Sequence, residues 1–424
     1  MDAGARRALL TRLARVKPFA LYEPMVPAAG ISPLAQTAIE RHLAGGRREL
    51  RGRVRNFLEW LHGPEGQRAA PAEQQRRFTF LRLRFNAVLS QFDLFADALT
   101  QRSEHETGVW LSGLDVVAAD ALSLPDYYPS PSVVCYLDRG VGAAIRRART
   151  RLPGGGDNPV AIIRVPRERM VGSGIASSLV HEVGHQAAAL LDLVDSLRRE
   201  LRRRAGDIWR LWERWISEIV ADFWSVARVG VASTLGLMGV VSLPWAFVFR
   251  VNLDDPHPIP WIRVKLSCAM GEALYPHPQW DRLARLWESF YPRGELNKDR
   301  RELIAGLESG MQEFVDILVH HRPKALRGAS LIEALAVEER QPARLAAYHQ
   351  SWRTGARAMY RASPTLVFAV IGQAKMEGTM SPEEESTTVA KLLTHWALRS
   401  TLDTSAFCAA MPKMRVAAPV TENF

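Results

Sequence analysis

The chain is predicted to be mainly helical, α+β in class, with a small β-sheet beside a central helical pair and helical regions on both flanks. Three observations predict this. Apolar residues recur at three- and four-residue spacing over long stretches, as in Phe80, Leu81, Phe85, Leu89 and Phe92, the pattern of amphipathic helices. Two short runs, Val133-Val134-Cys135-Tyr136-Leu137 and Val160-Ala161-Ile162-Ile163-Arg164-Val165, have β-like composition. Proline and glycine punctuate the chain around them, at Pro125, Pro129, Pro131, Gly154 to Gly156 and Pro159.

A chain of 424 residues, 47% hydrophobic and 24% charged, can bury a sizeable core and is not compositionally disordered. The net charge of +10 is carried mostly by arginine and is spread along the sequence. It reads as a solvated surface, and no nucleic-acid partner is expected. The three cysteines, Cys135, Cys268 and Cys408, form no CxxC pair, which suggests neither a disulfide framework nor a cysteine metal site and fits a reducing compartment. The basic first 25 residues lack an uninterrupted apolar core and a small-residue cleavage site, so they read as a basic helix and not a secretory signal. A cytoplasmic location is expected, with non-classical export or membrane association as the alternatives.

Taken in order, residues 1–124 read as an N-terminal helical region. The segment 102–106 reads as a solvated turn. Residues 125–295 form a central domain that begins with the two β-like runs. Val160 to Val165 is expected to be an edge strand that could receive an extended peptide. A helix follows, with Ser173 a candidate N-cap, and then the arginine-dense stretch 196–215, an amphipathic helical region expected to overhang the centre. The uncharged stretch 229–249 has the length of a membrane span. Gly230, Gly236, Gly239 and Pro244 interrupt it, so it reads as two short buried segments, with a span as the alternative. Asn252 to Pro260 is a proline-stiffened loop carrying His257. Residues 296–424 read as a C-terminal helical region, with helices over 301–320, 331–357 and 389–402 and a frayed tail from 412.

The chemistry concentrates at 173–222. His181-Glu182-Val183-Gly184-His185 places two imidazoles four residues apart, on one face of a helix, where they can grip one metal ion. Zinc takes nitrogen, oxygen or sulfur donors in a roughly tetrahedral arrangement, and a catalytic zinc leaves one position open for water. A third histidine on the same segment is excluded, because position 188 is alanine and 191 is leucine. Glu218 is the candidate third ligand to a single Zn²⁺ ion, with Asp222 one turn on suited to hold a ligand histidine by its other ring nitrogen. Ile216, Ile219, Val220, Phe223 and Trp224 surround both carboxylates, and burying carboxylates there is expensive unless they are paired or bind metal.

The order HEVGH, then Glu218-Ile219-Val220-Ala221-Asp222, then His257-Pro258 with Arg263 six residues later, resembles the glutamate-zincin (gluzincin) metallopeptidases. Among them it is similar to the CAAX prenyl protease and HtpX-like class. The resemblance covers roughly residues 158–263 and lacks that class's paired transmembrane hairpins. It implies a zincin-like metallopeptidase domain at 125–295 and a zinc metalloendopeptidase acting on a peptide or protein substrate. The implied roles are His181, His185 and Glu218 as zinc ligands, Glu182 as general base, and His257 and Arg263 near the developing oxyanion. The alternatives are a membrane-associated peptidase using 229–249, or a non-catalytic zinc-containing binding or scaffold protein. Intact Glu182 argues against the last, because a structural site needs no base.

Overall fold

Alternation along the two β-like runs sorts their side chains onto opposite faces of one sheet. A computed structural model describes residues 8, 10–11 and 26–410, except 140–141, 153–154, 168–171, 173, 253 and 336 and the side chains of 105 and 407–410. It is mainly helical, 73% helix, with a small sheet. The strands are β1 (Val133–Asp138), β2 (Ala144–Arg146) and β3 (Ala161–Pro166), in the order β1-β3-β2. β1 runs parallel to β3 with Val133 opposite Ala161, and β2 runs antiparallel to β3 with Ile145 opposite Ile163. β3 is therefore the central strand, not an edge. Both its edges are already hydrogen-bonded, so it cannot receive a peptide, and the expectation at 160–165 is corrected. Three-residue β2, too short to leave a periodic signal, is an edge strand.

Val134, Val160 and Ile162 pack against the long helices α1 (Pro33–His62) and α2 (Pro71–Thr100) in one apolar core. Cys135, Leu137, Ile163 and Val165 face a second, larger core. Both faces are thus covered, which is why these runs are almost continuously apolar. Helix α1 starts where Ser32 Oγ accepts from Ala35 N at 3.2 Å and Pro33 opens the first turn. Beyond α2 the segment expected as a solvated turn ends inside a helix that begins at His105, and it is not fully solvated. Arg102 is fully buried, because its guanidinium pairs with Asp115 at 3.0 Å and donates to Cys135 O at 2.6 Å. Asp115 Oδ1 also accepts from Cys135 N at 2.7 Å, which ties α3 (His105–Leu122) to β1.

The larger core runs without interruption from Leu111 to Trp396, so the expected boundaries after 124 and after 295 both fall inside it. At its centre lie α4 (Gly174–Leu190), α5 (Leu193–Leu201), α6 (Asp207–Val229) and α7 (Val231–Val241). Ser173, the expected cap of α4, lies outside the described residues, as do the basic N-terminal stretch apart from residues 8, 10 and 11, and the tail from 412. The stretch 196–215 is broken between α5 and α6 at Gly206, whose φ of 114° only glycine adopts readily. Most of its arginines are paired, among them Arg202 with Glu213, Arg203 with Glu200, Arg210 with Asp207 and Arg204 with Glu313.

The uncharged stretch divides as expected, into α7 and a four-residue turn, Trp245–Val248, opened by Pro244. The first segment is largely buried, but Leu243 and Phe247 are 43% and 51% exposed. Among the described residues no helix is long and apolar enough to cross a membrane. Then follow α8 (Pro260–Leu274), α9 (Gln279–Phe290), α10 (Lys298–Ser309), α11 (Met311–Val319), α12 (Pro342–Thr354), α13 (Pro364–Met376) and α14 (Pro382–Ala410). The helix expected over 301–320 is two helices meeting at Gly310. That expected over 331–357 is interrupted before Pro342, which lacks the N–H needed to continue it.

Candidate metal centre

Helices α4 and α6 lie side by side along the faces that carry the motif. Gly184 makes this approach possible: a Cβ there would lie 2.8 Å from Ala221 Cα and 2.9 Å from Ala221 O. The glycine inside HEVGH thus serves helix packing. On α4, facing this seam, His181 and His185 meet edge to face, with ring centroids 5.0 Å apart. Their Nε2 atoms lie 3.3 and 3.5 Å from one oxygen, Glu218 Oε2. The three donor atoms all fall within 4.8 Å of one another. Two imidazole nitrogens and a carboxylate oxygen, mostly buried and converging on one point, fit the donor set and spacing of a single zinc ion with a position left open.

His181 is oriented from behind. Its Nδ1 lies 2.7 Å from Asp222 Oδ1, so Nδ1–H donates to the carboxylate and Nε2 is turned towards Glu218. Burial alone would lower the His181 pKa, but the Asp222 charge and the hydrogen bonds to Asp222 and Glu218 outweigh it and push it up to about 9. Burial would likewise raise the Asp222 carboxyl. The Arg263 and His181 charges beside it instead hold it well below the usual carboxylate range. Glu218 is also held low, because hydrogen bonds from His181, His185 and His257 overcome its burial.

Arg263, on the first turn of α8, reaches Asp222 and not Asp254 or Asp255. Its Nε is 2.6 Å from Oδ2 and its Nη2 is 2.8 Å from Oδ1. This fork-to-fork pair satisfies a buried carboxylate. His257, presented by the proline loop, places Nε2 3.1 Å from Glu218 Oε2. Its other side is fixed by Asp255, whose Oδ1 takes the His257 backbone N–H at 3.0 Å and faces Nδ1 at 2.7 Å.

Glu182, 8% exposed, faces a cavity of about 120 Å³ shared with His181, His257 and Arg263. Burial raises its pKa, against the charges of His181 and His185. The cavity's remaining walls were not singled out in the sequence. They are Ser177 and Ser178 on α4, Ser225 on α6, and Ser233, Leu237 and Val240 on α7, with Gly142 and Ala143 just before edge strand β2. One signal for Ser177 and Ser225 was legible: each stands one helical turn from a motif residue, His181 or Asp222. The role of Asp255 was also missed, although an aspartate two residues before a loop histidine is a common local acceptor. No family model matches the chain, and comparison with curated proteins and with solved structures gives no match.

Proposed function

We propose that the chain is a zinc-dependent metallopeptidase. The observation that carries this reading is the convergence of His181 Nε2 and His185 Nε2 on Glu218 Oε2, with Glu182 beside the same cavity. His181, His185 and Glu218 would hold the ion. When bound, zinc supplies Lewis acidity, acidifying water and polarising a carbonyl.

The chain's own residues do the rest. Glu182 takes a proton from the attacking water and delivers it to the leaving amine nitrogen; its burial raises its basicity towards that of a base working near neutrality. Asp222 holds the Nδ1 proton of His181 and so keeps Nε2 free as a donor atom. Arg263 anchors Asp222 and acts on the site through it. His257, steadied by Asp255, offers Nε2 at the cavity, where its N–H can donate to the developing oxyanion. An extended substrate would add to β2, the edge strand adjoining the cavity at Ala143.

The test compares zinc content and peptide cleavage for the wild type and Glu182→Gln. Loss of cleavage with zinc retained is expected; equal cleavage by both proteins would refute the mechanism. Zinc binding by the wild type with no cleavage of any peptide would favour the non-catalytic zinc-scaffold reading.

A further inference from the structure

His257 is a wall shared by two cavities. The one beside Glu182 is the smaller, about 120 Å³, and its hydroxyls on Ser177, Ser225 and Ser233 are committed. Ser177 Oγ donates to Ser233 O at 3.0 Å, Ser225 Oγ to Ser177 O at 3.3 Å, and Ser233 Oγ to Ser225 Oγ at 2.8 Å. Gly236 meets Ser177 so closely that a Cβ there would collide, so α4 and α7 cannot part without breaking this network. The second cavity, about 180 Å³, also has His257 in its lining. Its walls are Trp215, Leu243, Phe247, Ile259 and Pro260, with exposed Arg250 at its rim.

Two features separate this second cavity from an ordinary surface dent. Leu243 and Phe247 leave large apolar surface exposed beside the candidate metal centre, and exposed apolar surface at a cleft marks binding. The backbone that carries them is pinned: Tyr291 OH donates to Leu243 O at 3.0 Å, and Trp245 Nε1 donates to Pro292 O at 3.2 Å. Asp255, the acidic group here, is engaged by His257 through two nitrogens, and the Arg250 charge acts on it as well. In an extended peptide, successive side chains point to opposite sides. A peptide bond presented at His257, which lines both cavities, would have one of them within reach of each flanking side chain.

We propose that the Trp215–Leu243–Phe247 cavity is the specificity pocket for a large apolar side chain of a peptide substrate. The smaller cavity beside Glu182 admits a small side chain on the other side of the scissile bond. This rests on the peptidase reading. The substrate class is then an extended peptide with a small residue next to a large apolar one, and lysine or arginine in the larger pocket is disfavoured by Arg250.

The test reads binding with turnover blocked, in the zinc-loaded Glu182→Gln protein. Short fluorescein-labelled peptides carrying a single Phe, Leu, Ala or Lys in a Gly-Ser background are titrated by fluorescence polarisation. Phe and Leu peptides are expected to bind about tenfold or more tightly than Ala and Lys peptides. That preference disappears on adding Leu243→Asp and Phe247→Asp, exposed positions at which fold and zinc content persist. A second variant, Arg250→Glu, raises Lys-peptide affinity. Equal affinity for Phe and Ala peptides, absence of binding included, or a preference unchanged by these substitutions overturns the proposal. Equal cleavage by wild type and Glu182→Gln would overturn the peptidase reading alone, because the binding comparison involves no turnover.

Discussion

Arg263 grips Asp222 through two hydrogen bonds, of 2.6 and 2.8 Å, and so fixes the carboxylate that orients His181. The residue implied as an oxyanion partner by motif order is, in the fold, the base of a relay from α8 through α6 to α4.

Removing one member of this buried pair strands the other. Arg263→Met should destabilise the protein by about 3–5 kcal/mol, read by urea denaturation. Asp222→Asn should weaken zinc binding about 10–100-fold, read by competition with a chromogenic chelator. An Arg263→Met protein of unchanged stability would remove Arg263 from this role.

Helix contact at Gly184 sets the distance between the histidines and Glu218. Gly184→Val should cost about 1–3 kcal/mol from overpacking against Ala221, visible as a lower Tm, and should lower zinc affinity as the helices separate. Gly239→Ala on α7 is the control. Nothing lies within 4 Å of a Cβ there, so the substitution should stabilise by up to about 1 kcal/mol through helix propensity.

Metal removal should have a thermodynamic signature. A ligand that binds only the folded state at 100 times its Kd stabilises by about 2.7 kcal/mol, so chelation should lower the wild-type Tm. His185→Ala should show almost no shift on chelation, and an equal shift in both proteins would place the stabilising metal elsewhere.

Alkali should unfold the chain cooperatively. Burial pushes the Cys268 thiol up to about 12, from an ordinary 9.0, and raises Tyr128 and Tyr275, whose hydroxyls donate to Leu122 O and Ala227 O. The folded state therefore keeps protons that the unfolded chain loses, and the stability gained is intact below about pH 9 and lost as pH rises towards 12. Circular dichroism should show the loss. Cys268 should resist alkylation at pH 8 until the chain unfolds, and rapid alkylation of the native protein would contradict its burial.

Sequence by itself determined the local half of this protein. A 3.6-residue period puts His181 and His185 on one face whatever surrounds them, and the apolar neighbours of Glu218 and Asp222 imply that both carboxylates are buried. Mainly helical class and the two predicted strands were legible for the same reason, because period and turn residues act within a few positions. Only the tertiary structure decided how these pieces meet. His181 and Asp222 are 41 residues apart, as are Arg263 and Asp222, and no local pattern records which partner a side chain finds over that distance. The fold alone made β3 the central strand, buried Arg102 against Asp115, drew α4 onto α6 at Gly184, and made His257 a wall of two cavities, because each depends on which surfaces exclude water together.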